Sequence, residues 1–117
     1  MACGSDDTSS TADATVETYT TVPDAQVVSG LADTQQLMDQ LVTAGKTATQ
    51  ASLDAVESSW AAYEGNIRIN DASTYLAAED ALALFDKAAL AGDAAGMKAA
   101  ADDFRSVATT YTTAHPG

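Results

Sequence analysis

Leu53, Val56, Trp60, Tyr63 and Ile67 follow one another at steps of three, four, three and four. That spacing places five large apolar side chains along one stripe of an α-helix and is incompatible with the alternation of a strand. Three further stretches repeat the pattern. Val27, Val28, Leu31, Thr34, Met38, Leu41 and Val42 form one stripe, and Tyr75, Ala78, Leu82, Phe85 and Ala89 form another. Met97, Ala100, Ala101, Phe104, Val107, Ala108 and Tyr111 form the last. A stripe of this kind is stable only when buried against another. The spacing predicts helices over 25–44, 46–69, 72–90 and 94–114. Asp71 and Asp93 stand where helix N-caps belong, and Gly92 where a helix C-terminus does. Gly45 ends or kinks the first helix, and His115-Pro116-Gly117 stops the last. Four such helices with tight corners predict an all-α, antiparallel up-down-up-down four-helix bundle over 23–117. Met38 and Met97 are expected in its core, with Asp54, Ser58 and Ser59 on the opposite face of the second helix.

The charge narrows the partners. Seventeen acidic residues against five basic ones leave a net charge of −12, and no Lys or Arg precedes Lys46. Such a surface repels nucleic acid and anionic headgroups and attracts cations. No run of 18 apolar residues is present to span a membrane. Residues 1–22 carry six Thr, three Ser, three Asp and one Glu, the composition of a disordered polar tether. At about 3.3 Å per residue it extends to about 70 Å. The single cysteine, Cys3, allows no intramolecular disulfide. Its setting, Ala-Cys-Gly-Ser-Asp-Asp before a Thr/Ser/Asp-rich tract, resembles the lipobox and tether of bacterial lipoproteins. The resemblance implies lipidation at Cys3, anchoring to the cell envelope on its extracytoplasmic side, and an apolar signal segment upstream of Met1.

Catalytic constellations are scarce. The lone cysteine lies in the tether and the lone histidine, His115, two residues from the chain end, where a frayed residue is expected and a nucleophile–base pair would be poorly preorganised. No phosphate-binding glycine loop occurs, so a non-catalytic role is expected. Chemistry-bearing residues gather instead from Trp60 to Leu82. Glu64, Arg68, Asp71, Tyr75 and Glu79 fall at steps of four, three, four and four, with Asp80 adjacent. The cap-forming Asn70-Asp71 predicts a reversal of the chain there, so that carboxylates on either side converge on Arg68. Two readings remain open. In one, Glu64, Asp71, Tyr75, Glu79 and Asp80, with Glu57 on the preceding helix, offer oxygen ligands to a hard cation such as ferric iron, Mn²⁺ or Ca²⁺. In the other, Glu64 and Glu79 clamp Arg68 beside Trp60, Asp71 is only a cap and Asp80 faces water. Lys98, Asp102 and Arg105 have the spacing of exposed helix pairs.

The stretch Trp60–Asp80, with AALAGDAAGMKAAADDF and the terminal TTYTTAHPG, resembles a helical module of bacterial iron-uptake systems. That module occurs beside, or fused to, the oxidase-dependent high-affinity iron permease, and is similar to segments of imelysin-like periplasmic iron lipoproteins. The positions that carry the resemblance are Trp60, Glu64, Arg68, Asp71, Tyr75, Glu79 and Asp80, then Gly92-Asp93. The imelysin Gly-x-His-x-x-Glu site is absent. The resemblance implies an extracytoplasmic lipoprotein linked to iron uptake, a metal-binding or accessory subunit whose partner is an iron permease or another envelope protein.

Overall fold

A computed structural model describes residues 21–44 and 50–117. The expectations for Cys3, the tether to residue 20, Gly45 and the start of the second helix lie outside the described residues. Those residues are all-helical: α1 (Asp24–Ala44), α2 (Gln50–Ala61), α3 (Glu64–Asn70), α4 (Ala72–Leu90) and α5 (Ala94–Ala114). None of these helices is long and apolar enough to cross a membrane.

Three helices match the sequence periodicity almost to the residue, because local chemistry sets their ends. Asp71 caps α4 through its carboxylate. Oδ1 accepts the Thr74 N–H at 3.1 Å and the Ser73 hydroxyl at 3.0 Å, and Oδ2 accepts the Thr74 hydroxyl at 2.6 Å. At the other end of α4 the chain leaves through a Schellman motif. Gly92 takes φ 71°, a left-handed conformation that other residues rarely adopt. Its N–H reaches the Ala89 carbonyl at 3.2 Å, and the Asp93 N–H reaches Ala88 at 2.8 Å. Asp93 in turn caps α5, accepting the Gly96 N–H at 2.9 Å. One short turn thus closes α4 and opens α5.

The expected second helix departs from its pattern. It breaks at Ala62–Tyr63 into α2 and α3, giving five helices among the described residues. Neither glycine nor proline marks the break. Two long-range attachments flank it. The Tyr63 hydroxyl reaches Thr34 of α1, and Asn66 grips Val22 ahead of α1. Asn66 does so as a peptide group would. Its Oδ1 accepts the Val22 N–H at 2.9 Å and its Nδ2 donates to the Val22 carbonyl at 2.7 Å. An asparagine that is 6% exposed is tolerable only with such pairing.

Packing follows chain order. α1 lies against α2, α3 against α4, α4 against α5, and α5 returns to α1. α4 and α5 make the most extensive pair, since alanines at 78, 81, 88, 89, 100 and 101 face inward and let the backbones approach. The bulk of the core comes from Trp60, Tyr63, Phe85, Phe104, Tyr111 and Met38. The chain end is ordered against this body. His115 stacks on Tyr111 with ring centres 4.5 Å apart, and Gly117 lies against Ala25 and Val28 of α1. His115 is therefore held rather than frayed.

Candidate functional site

The corner around Asp71 is built from α2, α3 and the first turns of α4. Trp60, at the end of α2, is 1% exposed. Its indole N–H donates to Glu79 Oε2 at 2.6 Å, across nineteen positions of sequence. Its ring stacks on Tyr75 at 6.0 Å and meets Tyr63 and Phe104 edge-on at 5.3 and 5.9 Å. The Tyr75 hydroxyl donates to Glu64 Oε1 at 3.3 Å. The Arg68 guanidinium lies over the Tyr75 ring, 5.3 Å from its centre, in cation–π contact. Contacts between Glu64 and Tyr75, and between Trp60 and Glu79, require the chain to double back at Asp71, as the sequence led us to expect.

The corner therefore brings together Trp60, Glu64, Arg68, Tyr75 and Glu79. The aromatic residues, not the guanidinium alone, tie the two carboxylates in place. Asp71 stands apart, its carboxylate committed to Ser73 and Thr74. Asp80 lies on the exposed side of α4. Burial raises the Tyr75 pKa, with the negative charges of Glu79 and Glu64 adding to it, and Arg68 acting in the opposite direction. The phenol is a neutral hydrogen-bond donor at neutral pH. Asp71 is held below the ordinary carboxylate range, first by the Thr74 hydroxyl and then by the Thr74 N–H. Among the described residues, no group of three or more His, Cys, Asp and Glu is placed to hold a metal ion.

Two features beside the corner carry little signal in the sequence. One is a buried hydroxyl network between α1 and α2. Thr34 Oγ1 donates to the Gly30 carbonyl at 3.0 Å, which uses its single proton. The Ser59 and Tyr63 hydroxyls, each 2.7 Å away, must then donate to it. Ser59, expected on the outer face, is drawn inward by this bond. Burial pushes the Tyr63 phenol far above its usual range, the Thr34 contact opposing and Asp33 and Glu64 reinforcing the shift.

The other is an acidic seam where α2 faces α4. Glu57 is pushed above the ordinary carboxylate range by burial, then by Asp86, Glu79, Glu64 and Asp54. Asp86 is pushed up by burial and by Asp54, and its Oδ1 is buried with no hydrogen-bond partner among the described residues. Like charges gathered in a partly desolvated strip disfavour joint ionisation. The sign of the pH response follows. A carboxylate whose folded pKa exceeds its unfolded one binds protons preferentially in the folded state, so stability rises as pH falls from neutral through that pKa. Asp71 and Asp102 are depressed, so their contribution is lost only at lower pH, as pH drops through their folded pKa values. Thermal melts between pH 8 and pH 3 are therefore expected to peak in mild acid. Asp86→Asn should flatten the neutral-to-mild-acid limb while leaving the acid limb in place. A melting temperature that only falls below neutral pH would contradict this assignment.

On the far side, the expected exposed pairs are present and extended. Asp102 accepts from Lys98 and Arg105, both at 2.9 Å, and Arg105 also reaches Asp39 of α1 at 2.6 Å. Pairs this exposed are screened by solvent and add little to stability. Comparison with protein-family models, with curated proteins and with solved structures gives no match for this chain.

Proposed function

We propose that the chain is a non-catalytic accessory module of the bacterial cell envelope, linked to iron uptake, whose corner cluster is structural and whose work is docking on another envelope protein. The carrying observation is the closure of the corner. Glu79 holds the Trp60 indole, Glu64 accepts from Tyr75, and Asp71 caps α4. These oxygens already have protein partners, and Arg68 lies over the same tyrosine. In this reading α2 and α3 are two halves of one arm, and the arms run up-down-up-down, with Cys3 carrying the lipid anchor on the extracytoplasmic side. The tie to iron uptake rests on the likeness of Trp60–Asp80 and Gly92-Asp93 to the permease-associated module.

A second reading, transfer of an iron ion at the corner, draws on Glu64 and Glu79 acting together on the Tyr75 phenol. Thermal melts with Fe(III)-citrate, Mn²⁺ and Ca²⁺, on wild type and Glu79→Gln, separate the two. The structural reading expects no metal-dependent change in melting temperature. It also expects Glu79→Gln to cost about 1 kcal/mol with or without metal, as a charge-assisted bond becomes a neutral one. A rise in melting temperature with one metal, lost in Glu79→Gln, would establish the metal site instead.

A further inference from the structure

The outward face of α4 differs from the rest of this acidic surface. Leu76, Leu84 and Leu90 are 61, 54 and 56% exposed, and Ala77 and Ala83 between them are exposed as well. Solvated helix faces seldom carry three open leucines, and apolar side chains gathered on one face make it a candidate interaction surface. Two charged side chains run down its middle, Asp80 and Lys87. At 100° and 1.5 Å per residue they lie about 20° apart in azimuth and about 10 Å apart along the axis. On the α4 strip itself the two charges balance, in a chain of net charge −12.

Lys87 is unusual in its isolation. Among the described residues, Lys98 and Arg105 are paired with aspartates and Arg68 is committed at the corner. Lys87 has no partner among the described residues, and neither has Asp80. An unpaired lysine beside an unpaired aspartate, in a chain with so few cations, is complementary to one arrangement in particular. A two-fold axis midway between Asp80 and Lys87, level with Ala83 and Leu84, brings Asp80 of each copy opposite Lys87 of the other. The same axis brings Leu76 level with Leu90 of the second copy to within a residue, and places Leu84 beside its own counterpart. A parallel pairing would oppose aspartate to aspartate and lysine to lysine. Beside this strip a groove of about 370 Å³ opens between α4 and α5, lined by Leu84 and alanines together with Lys87, Asp93 and Asp103. The groove carries the surface of the strip beyond a single helix.

We propose that the outer face of α4 is a self-association surface, on which a second copy of this chain packs antiparallel about a two-fold axis at Ala83–Leu84, with Asp80 and Lys87 forming reciprocal ion pairs. An isologous contact of this kind requires a self-complementary patch, and the Asp80–Lys87 spacing on this face supplies one. The assignment is independent of the iron-uptake reading.

Sedimentation equilibrium of the full chain under reducing conditions, which removes any disulfide through Cys3, tests it. Wild type is expected to dimerise at micromolar concentration. Asp80→Lys should weaken the dimer at least tenfold by opposing like charges, and Leu84→Glu should do the same, both with unchanged far-UV circular dichroism. The double variant Asp80→Lys/Lys87→Asp, which restores complementarity with the signs exchanged, should recover the dimer. A wild-type chain that stays monomeric at hundreds of micromolar would overturn the proposal. So would a double variant no tighter than Asp80→Lys, because the face would then be covered by something other than a second copy.

Discussion

Trp60→Ala is expected to lower the free energy of unfolding by about 3–5 kcal/mol, the range for deleting a buried indole. The side chain is 1% exposed and touches three other rings, Tyr63, Tyr75 and Phe104. Its removal opens a cavity where α2, α4 and α5 converge. A second contribution is separable. Glu79 accepts the indole N–H at 2.6 Å, and Trp60→Phe keeps an aromatic ring while leaving that carboxylate without its donor. The phenylalanine variant should therefore retain part of the stability but still lose about 1–3 kcal/mol from the unpaired group. Urea denaturation followed by far-UV circular dichroism measures both. With a total stability of about 5–15 kcal/mol for a domain of this kind, the alanine variant should have a visibly shifted midpoint at constant slope. A loss under about 1 kcal/mol would mean that the corner is held by its helix caps and not by its rings.

Gly30→Ala should reverse the usual sign of a helical glycine substitution. In the middle of an exposed helix this change stabilises by about 1 kcal/mol. Here a Cβ would lie 2.6 Å from Cδ2 and 2.8 Å from Cε2 of Tyr63, well inside contact distance. The ring has little room to yield, because its hydroxyl is bonded to Thr34 and its edge meets Trp60 at 83°. Overpacking of this order costs about 1–3 kcal/mol. Retreat of the ring would also leave Thr34 without one of its two donors. In a Tyr63→Leu background most of the Gly30→Ala cost should disappear, giving a non-additive cycle between two residues that share one contact. Equal costs in the two backgrounds would show that Gly30 is needed for backbone reasons instead.

These contacts mark what is legible in a sequence of this kind. The corner at Asp71 can be read from Asn70-Asp71 and from the steps of three and four on either side, since capping and periodicity are local. The partners inside the corner cannot. Spacing alone suggests that Glu64 and Glu79 address Arg68. The folded chain also places Trp60 and Tyr75 against those carboxylates, because rings of that size fill the space between α2 and α4 and bring their polar atoms to the acidic edge. Asn66 gives even less warning. Nothing in Gly-Asn-Ile announces a side chain that will hold the backbone of Val22, forty-four positions away.

By itself the sequence determined that the described residues are helical, where α1, α4 and α5 begin and end, and most of the large side chains that form the core, since each follows from hydrophobic period and terminal hydrogen bonding within a few residues. Only the tertiary structure decided the break at Ala62–Tyr63, the inward turn of Ser59, the Asn66–Val22 pairing, the bond from Trp60 to Glu79 and the reach of Arg105 to Asp39. Each of these joins groups far apart in the chain, and a hydrogen bond across such a gap is chosen by how the helices pack, which no local window of residues contains.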